Sequence, residues 1–247
     1  MERVFIVTEY DGTDYVGYQY QDNGPSVQGE LQNALTQVYK EEIKVTGCSR
    51  TDAGVHARGH VSHFDAPFHI DADRIPYAVN AFLPENIAVK SAYYVSEEKS
   101  ARFDTKGKRY CYRLYTGRTR SPLLSRYAYY VAGNLDLAKM QSAAEYFAGE
   151  HDFASFCASG GSQITTIRRI HEVLVARSEQ NPNIIEITVS GEAFLYNMVR
   201  IIAGTLLDVG QGRILPEAIP TIINSCDRRR AGRTLPPSGL TLEEVFY

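Results

Sequence analysis

The chain has 247 residues, a formal net charge of -3, 44% hydrophobic residues and 22% charged residues. This composition is ordinary for a soluble globular protein, and the length suits one large domain or two smaller ones. No stretch approaches the ~18 apolar residues of a membrane helix and no secretory leader opens the chain, so we expect a cytoplasmic protein. The four cysteines lie far apart, which predicts reduced thiols and disfavours a disulfide framework.

The first half of the chain predicts the order β-α-β-β-α-β, which is typical of ferredoxin-like and RNA-recognition-type (RRM-like) domains. The segments are a strand over Val4–Glu9, a helix from Ser26 to Lys40, strands over Glu42–Cys48 and Arg58–Asp65, a helix over Asp71–Phe82 and a strand over Ile87–Tyr94. Ser26 is predicted to cap the first helix, because its side-chain oxygen can accept from an amide of the first turn.

The pattern begins again after Asp104. The predicted segments are strands over Lys108–Tyr115 and Ser125–Val131, a helix over Leu135–Phe147, paired strands over Thr165–Arg177 and Ile184–Ser190, helices over Phe194–Val209 and Pro216–Asn224, and a closing strand over Leu240–Phe246. We therefore predict an α+β protein of two ferredoxin-like halves, residues 1–104 and 105–247, each with an antiparallel sheet flanked by helices.

Asp52 lies at the tip of a predicted β-turn-β unit, in the sequence Arg50-Thr51-Asp52-Ala53-Gly54-Val55-His56. Gly54 can take the positive φ that a tight turn requires. An isolated Asp near a Gly is usually a turn former, but here Arg50 and His56 are close by and the flanking residues are too small to cover the carboxylate. Asp52 is thus a candidate catalytic carboxylate on a rigid loop.

The predicted helix Phe194–Val209 is apolar on nearly every side, so we expect it to be buried. Arg200 is its only charge between Glu192 and Asp208. A buried guanidinium is costly without a partner, which predicts a facing carboxylate, and Asp52 is the candidate. The alternative is an arginine that extends to the surface along its own aliphatic stem.

Basic residues are concentrated between Arg102 and Arg126, a segment that contains eight Lys or Arg residues and one acidic residue. A second group consists of Arg228-Arg229-Arg230 with Arg233. Such clusters can follow a phosphate backbone, although a solvated charged face is the commoner explanation. Within the first cluster, Lys108, Arg109 and Tyr110 belong to a predicted strand in which basic residues are interleaved with aromatic ones. This arrangement can hold phosphate while a tyrosine ring stacks on a base.

His56, His60 and His63 have a spacing that raises the possibility of a metal site. The spacing would place three imidazoles on one face only in a helix, and this segment is predicted to be extended, so a metal site is the weaker hypothesis. The sequence contains no G-x-S-x-G, no P-loop and no G-x-G-x-x-G motif, and a nucleotide cofactor is not indicated.

The segment Arg50–Ala57 resembles the signature of the TruA-type tRNA pseudouridine synthases, and the similarity extends along nearly the whole chain. The companion motifs are Glu9-Tyr10-Asp11-Gly12 with Gly17 and Gln19, Ser26-Val27-Gln28, Ala101-Arg102-Phe103, Lys108-Arg109-Tyr110, Asp152-Phe153 with Ser155-Phe156, Phe194 with Met198-Val199-Arg200, and Pro236-Pro237 with Gly239-Leu240. The chain departs from the family at Tyr18, where Trp is common, and at Ser49, where Gly is common.

This resemblance implies the isomerisation of uridine to pseudouridine at positions 38, 39 and 40 of the tRNA anticodon stem-loop, without cofactor or metal. Asp52 matches the catalytic aspartate and Arg200 the arginine that pairs with it. Tyr110 matches the tyrosine that stacks on the target base and helps to remove the C5 proton, and Arg50 a residue that aids base flipping. With these we group His56, Lys108 and Arg109 as RNA-binding residues.

The resemblance also implies a basic cleft between two RRM-like halves and a homodimer in which one tRNA touches both subunits. Two alternatives stay open. One is a non-catalytic RNA-binding protein on the same fold, and the other is a metal-dependent hydrolase that uses the three histidines.

Overall fold

The computed structural model describes residues 2–161 and 164–247. The chain divides into two compact units: Met1–Lys106 together with Thr241–Tyr247, and Gly107–Leu240. The elements in chain order are β1 (Glu2–Tyr10), α1 (Val27–Tyr39), β2 (Thr46–Gly47), β3 (His56–Ala66), α2 (Ile75–Asn80), β4 (Ile87–Val95), β5 (Gly107–Tyr115), β6 (Tyr129–Tyr130), α3 (Leu137–Glu145), β7 (Gly149–Asp152), β8 (Ile167–Arg177), β9 (Ile184–Gly191), α4 (Met198–Gly210), α5 (Ile219–Asn224) and β10 (Leu240–Phe246).

The first unit has the strand order β4-β1-β3, with the short β2 antiparallel to β3. This is the ferredoxin-like arrangement that the first half of the sequence predicted. Near its start, β3 also pairs in parallel with β10, at the register His56 to Thr241. The final strand of the chain therefore joins the sheet of the first unit.

Helix α1 begins as predicted, since the Ser26 Oγ accepts from the Gly29 amide at 3.2 Å. Its buried face, Val27, Leu31 and Leu35, packs in the core of the first unit. A second cluster, formed by Phe5, Cys48, Val61 and Ala101, is buried as well. Buried side chains from several segments of the unit thus hold β1 and β3 in place.

One predicted strand is much shorter than expected. Of Glu42–Cys48 only Thr46–Gly47 joins the sheet. The backbone before it bonds to side chains of α1 instead: the Ile43 amide donates to Thr36 Oγ1 at 3.2 Å, and the Val45 amide to Gln32 Oε1 at 3.1 Å. Side-chain acceptors on a neighbouring helix therefore replace the strand ladder.

In the second unit the strand order is β5-β9-β8-β7, with antiparallel neighbours, and β6 pairs in parallel with β5. Helix α3 is tied to the sheet by Gln141, whose Nε2 donates to the Val175 carbonyl at 3.0 Å. The predicted α+β class, with antiparallel sheets flanked by helices, is confirmed. The domain limits and the cleft between the halves stay predictions.

Helix α4 is buried on nearly every side, as its uniformly apolar sequence predicted. It begins at Met198 rather than at Phe194, because Asn197 has the left-handed backbone value φ = 61° and so cannot continue a right-handed helix. Ser125–Val131 is likewise reduced to the two-residue strand β6.

Candidate active site

Asp52 lies in the loop between β2 and β3, as predicted. The Val55 amide donates to the Asp52 carbonyl at 3.1 Å, which closes a turn. Gly54 has φ = 77°, the positive value expected for this position. The Asp52 side chain is half-buried. A tight turn thus presents a partly desolvated carboxylate.

Two residues of the N-terminal segment form hydrogen bonds with Thr51, the residue before Asp52. The Tyr18 amide donates to the Thr51 carbonyl at 3.1 Å, and the Thr51 Oγ1 lies 2.7 Å from the Tyr10 hydroxyl. Gly17 allows this approach, because it has φ = 119° and a Cβ there would lie 2.8 Å from the Thr51 carbonyl oxygen. The backbone that leads into Asp52 is therefore held by contacts from outside the loop.

His56 closes the other side of the loop. Its ring is buried, and Nδ1 lies 3.1 Å from the Gly12 amide nitrogen and 3.1 Å from Asp11 Oδ1. An amide can only donate, so Nδ1 accepts this hydrogen bond. His56 thus anchors the loop, and the predicted contact with RNA stays a prediction.

The three histidines of the metal hypothesis have separate partners. His60 and His63 are three residues apart on β3, so their side chains point to opposite faces of the sheet. The His60 Nε2 lies 3.0 Å from the Ser49 carbonyl oxygen, and the His63 Nδ1 accepts from the Ala101 amide at 3.1 Å. Within the described ranges, no group of three His, Cys, Asp or Glu residues is arranged to hold a metal ion.

In the second unit Tyr110 lies on β5 opposite Val189 of β9. Its ring is 7% exposed and contacts Phe194 edge to face, with ring centroids 5.2 Å apart. Because side chains alternate along a strand, Lys108 shares the buried face of Tyr110, whereas Arg109 is exposed on the other face. The basic and aromatic residues that the sequence interleaves are therefore separated: Arg109 lies on the opposite face of the sheet from Lys108 and Tyr110.

Arg200 lies in the first turn of α4 and is half-buried. Its Nε donates to the Leu235 carbonyl at 2.7 Å, and its Nη1 donates to Asn197 Oδ1 at 2.5 Å. Two neutral acceptors of the same unit therefore orient the guanidinium. The pairing of Arg200 with Asp52 stays a prediction.

Several cations of the basic clusters have local partners. Arg113 pairs with Glu186 at 3.2 Å, and Arg229 pairs with Asp227 at 2.8 Å. Arg228 donates to the Gly232 carbonyl at 2.9 Å, and burial lowers its pKa. By contrast, Arg50 at the start of the Asp52 loop is exposed. A charge count along the sequence therefore overestimates the cations available to a phosphate backbone.

Sequence reasoning missed the buried polar group beneath the loop. Tyr18 stacks on His60 with ring centroids 3.9 Å apart, and its hydroxyl lies 2.6 Å from Ser62 Oγ. The alternation along β3 could have placed His60 and Ser62 on one face, but not Tyr18 beside them.

In the part of the chain that is described, no helix is both long and apolar enough to cross a membrane.

Comparison with known proteins identifies the family. The profile of a family described as tRNA pseudouridine synthase matches residues 6–104 and 143–247. Relatives named tRNA pseudouridine synthase A are 46% identical in Ruminiclostridium cellulolyticum, 44% in Acetivibrio thermocellus and 43% in Caldicellulosiruptor saccharolyticus, each over 247 residues and 100% of both chains. The chain therefore belongs to the tRNA pseudouridine synthase family.

Proposed function

We propose that this protein is an isomerase that converts uridine to pseudouridine at positions 38, 39 and 40 of the tRNA anticodon stem-loop. The observation that carries the proposal is the full-length similarity to relatives named tRNA pseudouridine synthase A. The geometry of the Asp52 loop supports it, because the loop presents a half-buried carboxylate on backbone that is held from outside.

The reaction breaks the C1′–N1 bond of uridine, turns the uracil and rejoins it to the sugar through C5. Asp52 can attack the sugar, attack the base or remove a sugar proton, and each route needs an ionised and positioned carboxylate. The turn closed by Val55 and the anchored Thr51 carbonyl supply that position. The chemistry requires no oxidant and no group from outside the substrate.

The remaining roles follow the family pattern. Arg200 pairs with Asp52 and keeps it ionised, and Tyr110 stacks on the target base and helps to remove the C5 proton. Arg50, His56, Lys108 and Arg109 contact the RNA. Extrusion of a stacked base costs a few kcal/mol, and contacts to the RNA backbone offset this cost. The exposed positions of Arg50 and Arg109 are compatible with such contacts.

The decisive experiment replaces Asp52 by Asn, which keeps the shape of the side chain and removes its charge. Purified protein and variant are incubated with unmodified tRNA transcripts, and pseudouridine is mapped at single-nucleotide resolution. We expect the variant to lose about 10²–10⁴-fold in rate or more, while tRNA binding changes little. The exposed Asp73→Asn variant is the control for loss of a charge and should retain full activity.

The same experiment separates the alternatives. A non-catalytic RNA-binding protein would bind tRNA but form no pseudouridine even with Asp52 intact. Formation of pseudouridine by Asp52→Asn at the original rate would contradict the catalytic assignment. Activity that is lost in chelator and restored by a divalent metal would favour the metal-dependent enzyme.

The predicted ion pair between Asp52 and Arg200 has its own test. If the two side chains act together, Asp52→Asn combined with Arg200→Met should be no slower than Asp52→Asn alone. Additive losses would contradict the pairing.

We further propose tRNA as the partner, a cytoplasmic location and a homodimer that binds one tRNA with both subunits. Light scattering of the purified protein across a range of concentrations tests the dimer. A monomer that retains activity would contradict it.

A further inference from the structure

Beneath the loop that carries Asp52 lies a buried polar cluster, here called the His60 cluster, made of Tyr18, His60 and Ser62 together with the Ser49 carbonyl. Tyr18 is 2% exposed, and His60 and Ser62 are 0% exposed. The His60 Nε2 lies 3.0 Å from the Ser49 carbonyl oxygen, and its Nδ1 lies 3.3 Å from Ser62 Oγ. The cluster thus connects strand β3 with the backbone two residues before Thr51.

The direction of the key hydrogen bond follows from the chemistry of its acceptor. A carbonyl oxygen can only accept, so the His60 Nε2 must carry a proton and donate to Ser49. This holds whether the ring is neutral or protonated. Burial alone would raise the pKa of the neighbouring Cys48 thiol, but His60, together with hydrogen bonds from Ser49 and the Val61 backbone, lowers it to about 7.

Tyr18 links the cluster to the loop at a second point. Burial raises the pKa of Tyr18, so its hydroxyl stays protonated and can donate to Ser62 Oγ at 2.6 Å. Its ring lies nearly parallel to the imidazole, at an interplanar angle of 21°, while its backbone amide donates to the Thr51 carbonyl. The carbonyls of Ser49 and Thr51 are therefore both held by residues that contact each other.

The packing leaves this arrangement little freedom. A Cβ on Gly47 would lie 2.3 Å from Cε1 of the Tyr18 ring and 2.9 Å from Cε1 of His60. The end of β2 therefore packs against both the tyrosine ring and the imidazole. The Tyr18 ring and the Ser49 carbonyl thus both contact the same histidine.

We propose that His60 is a positioning residue, which fixes the approach to Asp52 by donating from a buried ring to the Ser49 carbonyl. The proposal rests on the proposed function, in which Asp52 is catalytic. His60 contacts neither substrate nor Asp52 in this scheme. It acts through the backbone of the loop, and a displacement of about 1 Å at a catalytic group can cost about 100-fold in rate.

The test compares two replacements of His60 under conditions in which tRNA binding and chemistry are measured separately. His60→Leu keeps an apolar side chain of related size but removes the donor. His60→Gln places an amide N–H near the former Nε2 and keeps the donor. We expect His60→Leu to lower the single-turnover rate at saturating protein by about 10–100-fold, with the Kd for tRNA within about twofold. His60→Gln should recover most of that rate.

His63→Leu is the matched control, because His63 lies on the same strand and accepts a buried hydrogen bond from Ala101, on the opposite face. It should lower the melting temperature without changing the rate at a temperature where the protein is folded. Should His60→Leu fail to fold, Tyr18→Phe removes only the hydroxyl that contacts Ser62 Oγ, and a lower rate at unchanged Kd is again expected. An unchanged rate in the folded variant would overturn the proposal.

The outcomes distinguish this proposal from the proposed function. If the unaltered protein forms no pseudouridine, or Asp52→Asn remains active, the proposed function fails. If Asp52→Asn is inactive while His60→Leu and His60→Gln both match the unaltered protein, only the positioning role fails. A rate loss of equal size in His60→Leu and His63→Leu would indicate general destabilisation and would also overturn the positioning role.

Discussion

Gly12 packs directly against the carbonyl of Val55, and a Cβ placed on Gly12 would lie 2.0 Å from the Val55 carbonyl oxygen. The Gly12 amide also donates to the His56 Nδ1 at 3.1 Å. The segment after β1 and the segment before β3 are therefore in contact along their backbones. No side chain larger than hydrogen fits at position 12 unless the Asp52 loop shifts.

Gly12→Ala should therefore displace the loop. We expect a loss of about 1–3 kcal/mol in the free energy of unfolding from the steric conflict, together with a rate of pseudouridine formation at least about tenfold lower. Denaturant titration and single-turnover kinetics measure the two effects. The control is Gly133→Ala, which has open space around its Cβ but φ = 88°. It should cost about 1–2 kcal/mol through backbone strain and leave the rate unchanged.

Thr205 supports the helix that carries Arg200. Its Oγ1 accepts from the Gly232 amide at 2.8 Å and donates to the Ile201 carbonyl at 2.8 Å. Thr205→Val keeps the shape and leaves the buried Gly232 amide without this acceptor, which should cost about 1–3 kcal/mol. Thr205→Ser keeps the hydroxyl and should cost less. A Thr205→Val variant as stable as the unaltered protein in denaturant titrations would show that these hydrogen bonds do not stabilise the helix.

Much of the fold could be predicted because local pattern and tertiary burial agree. The alternation along β3 and β5, the cap at Ser26 and the apolar length of α4 each predicted an element that the structure contains. The errors have local causes. The left-handed Asn197 delays the start of α4, and side chains of α1 take the hydrogen bonds of the segment before β2.

The part of the candidate site that lies within one short segment, the Asp52 turn, could be predicted from the sequence. The turn that presents Asp52 follows from Gly54 and the flanking strands, so position and conformation could be inferred together. The His60 cluster could not, because Tyr18 and Ser62 are far apart in sequence and meet only through the fold. The first basic cluster was misleading for the same reason, since the acidic partner of Arg113 is Glu186, which is far away in sequence.

The role of the Tyr110 hydroxyl, in the second unit, can be tested by substitution. Tyr110→Phe keeps the ring that contacts Phe194 and removes the hydroxyl, so we expect stability within about 1 kcal/mol of the unaltered protein. If the hydroxyl helps to remove the C5 proton, the single-turnover rate should fall by about 100-fold or more. Tyr115→Phe is the control, on the same strand with its ring toward Tyr130, and should retain full activity. An unchanged rate in Tyr110→Phe would assign the residue to stacking alone.

Arg3 and Asp65 give the first unit a predictable dependence on pH. The Arg3 Nε and Nη2 donate to the two carboxylate oxygens of Asp65 at 2.8 and 2.9 Å. This hydrogen bonding holds the pKa of Asp65 below its ordinary value of 3.8. Because the pKa is lower in the folded state, the pair stabilises the protein fully above the unfolded pKa, and the contribution is lost as the pH falls through the folded pKa.

Asp65→Asn should therefore destabilise the protein near neutral pH but not in strong acid. The Arg3 and Asp65 side chains are 19% and 41% exposed, so solvent screening limits the loss near pH 7 to about 1 kcal/mol or less. We expect the difference from the unaltered protein, measured by denaturant titration from pH 7 downward, to shrink towards zero below the folded pKa. Asp22→Asn, on an exposed turn, controls for loss of a charge. A difference that stays constant across this range would show that Asp65 acts through its shape and not through its ionisation.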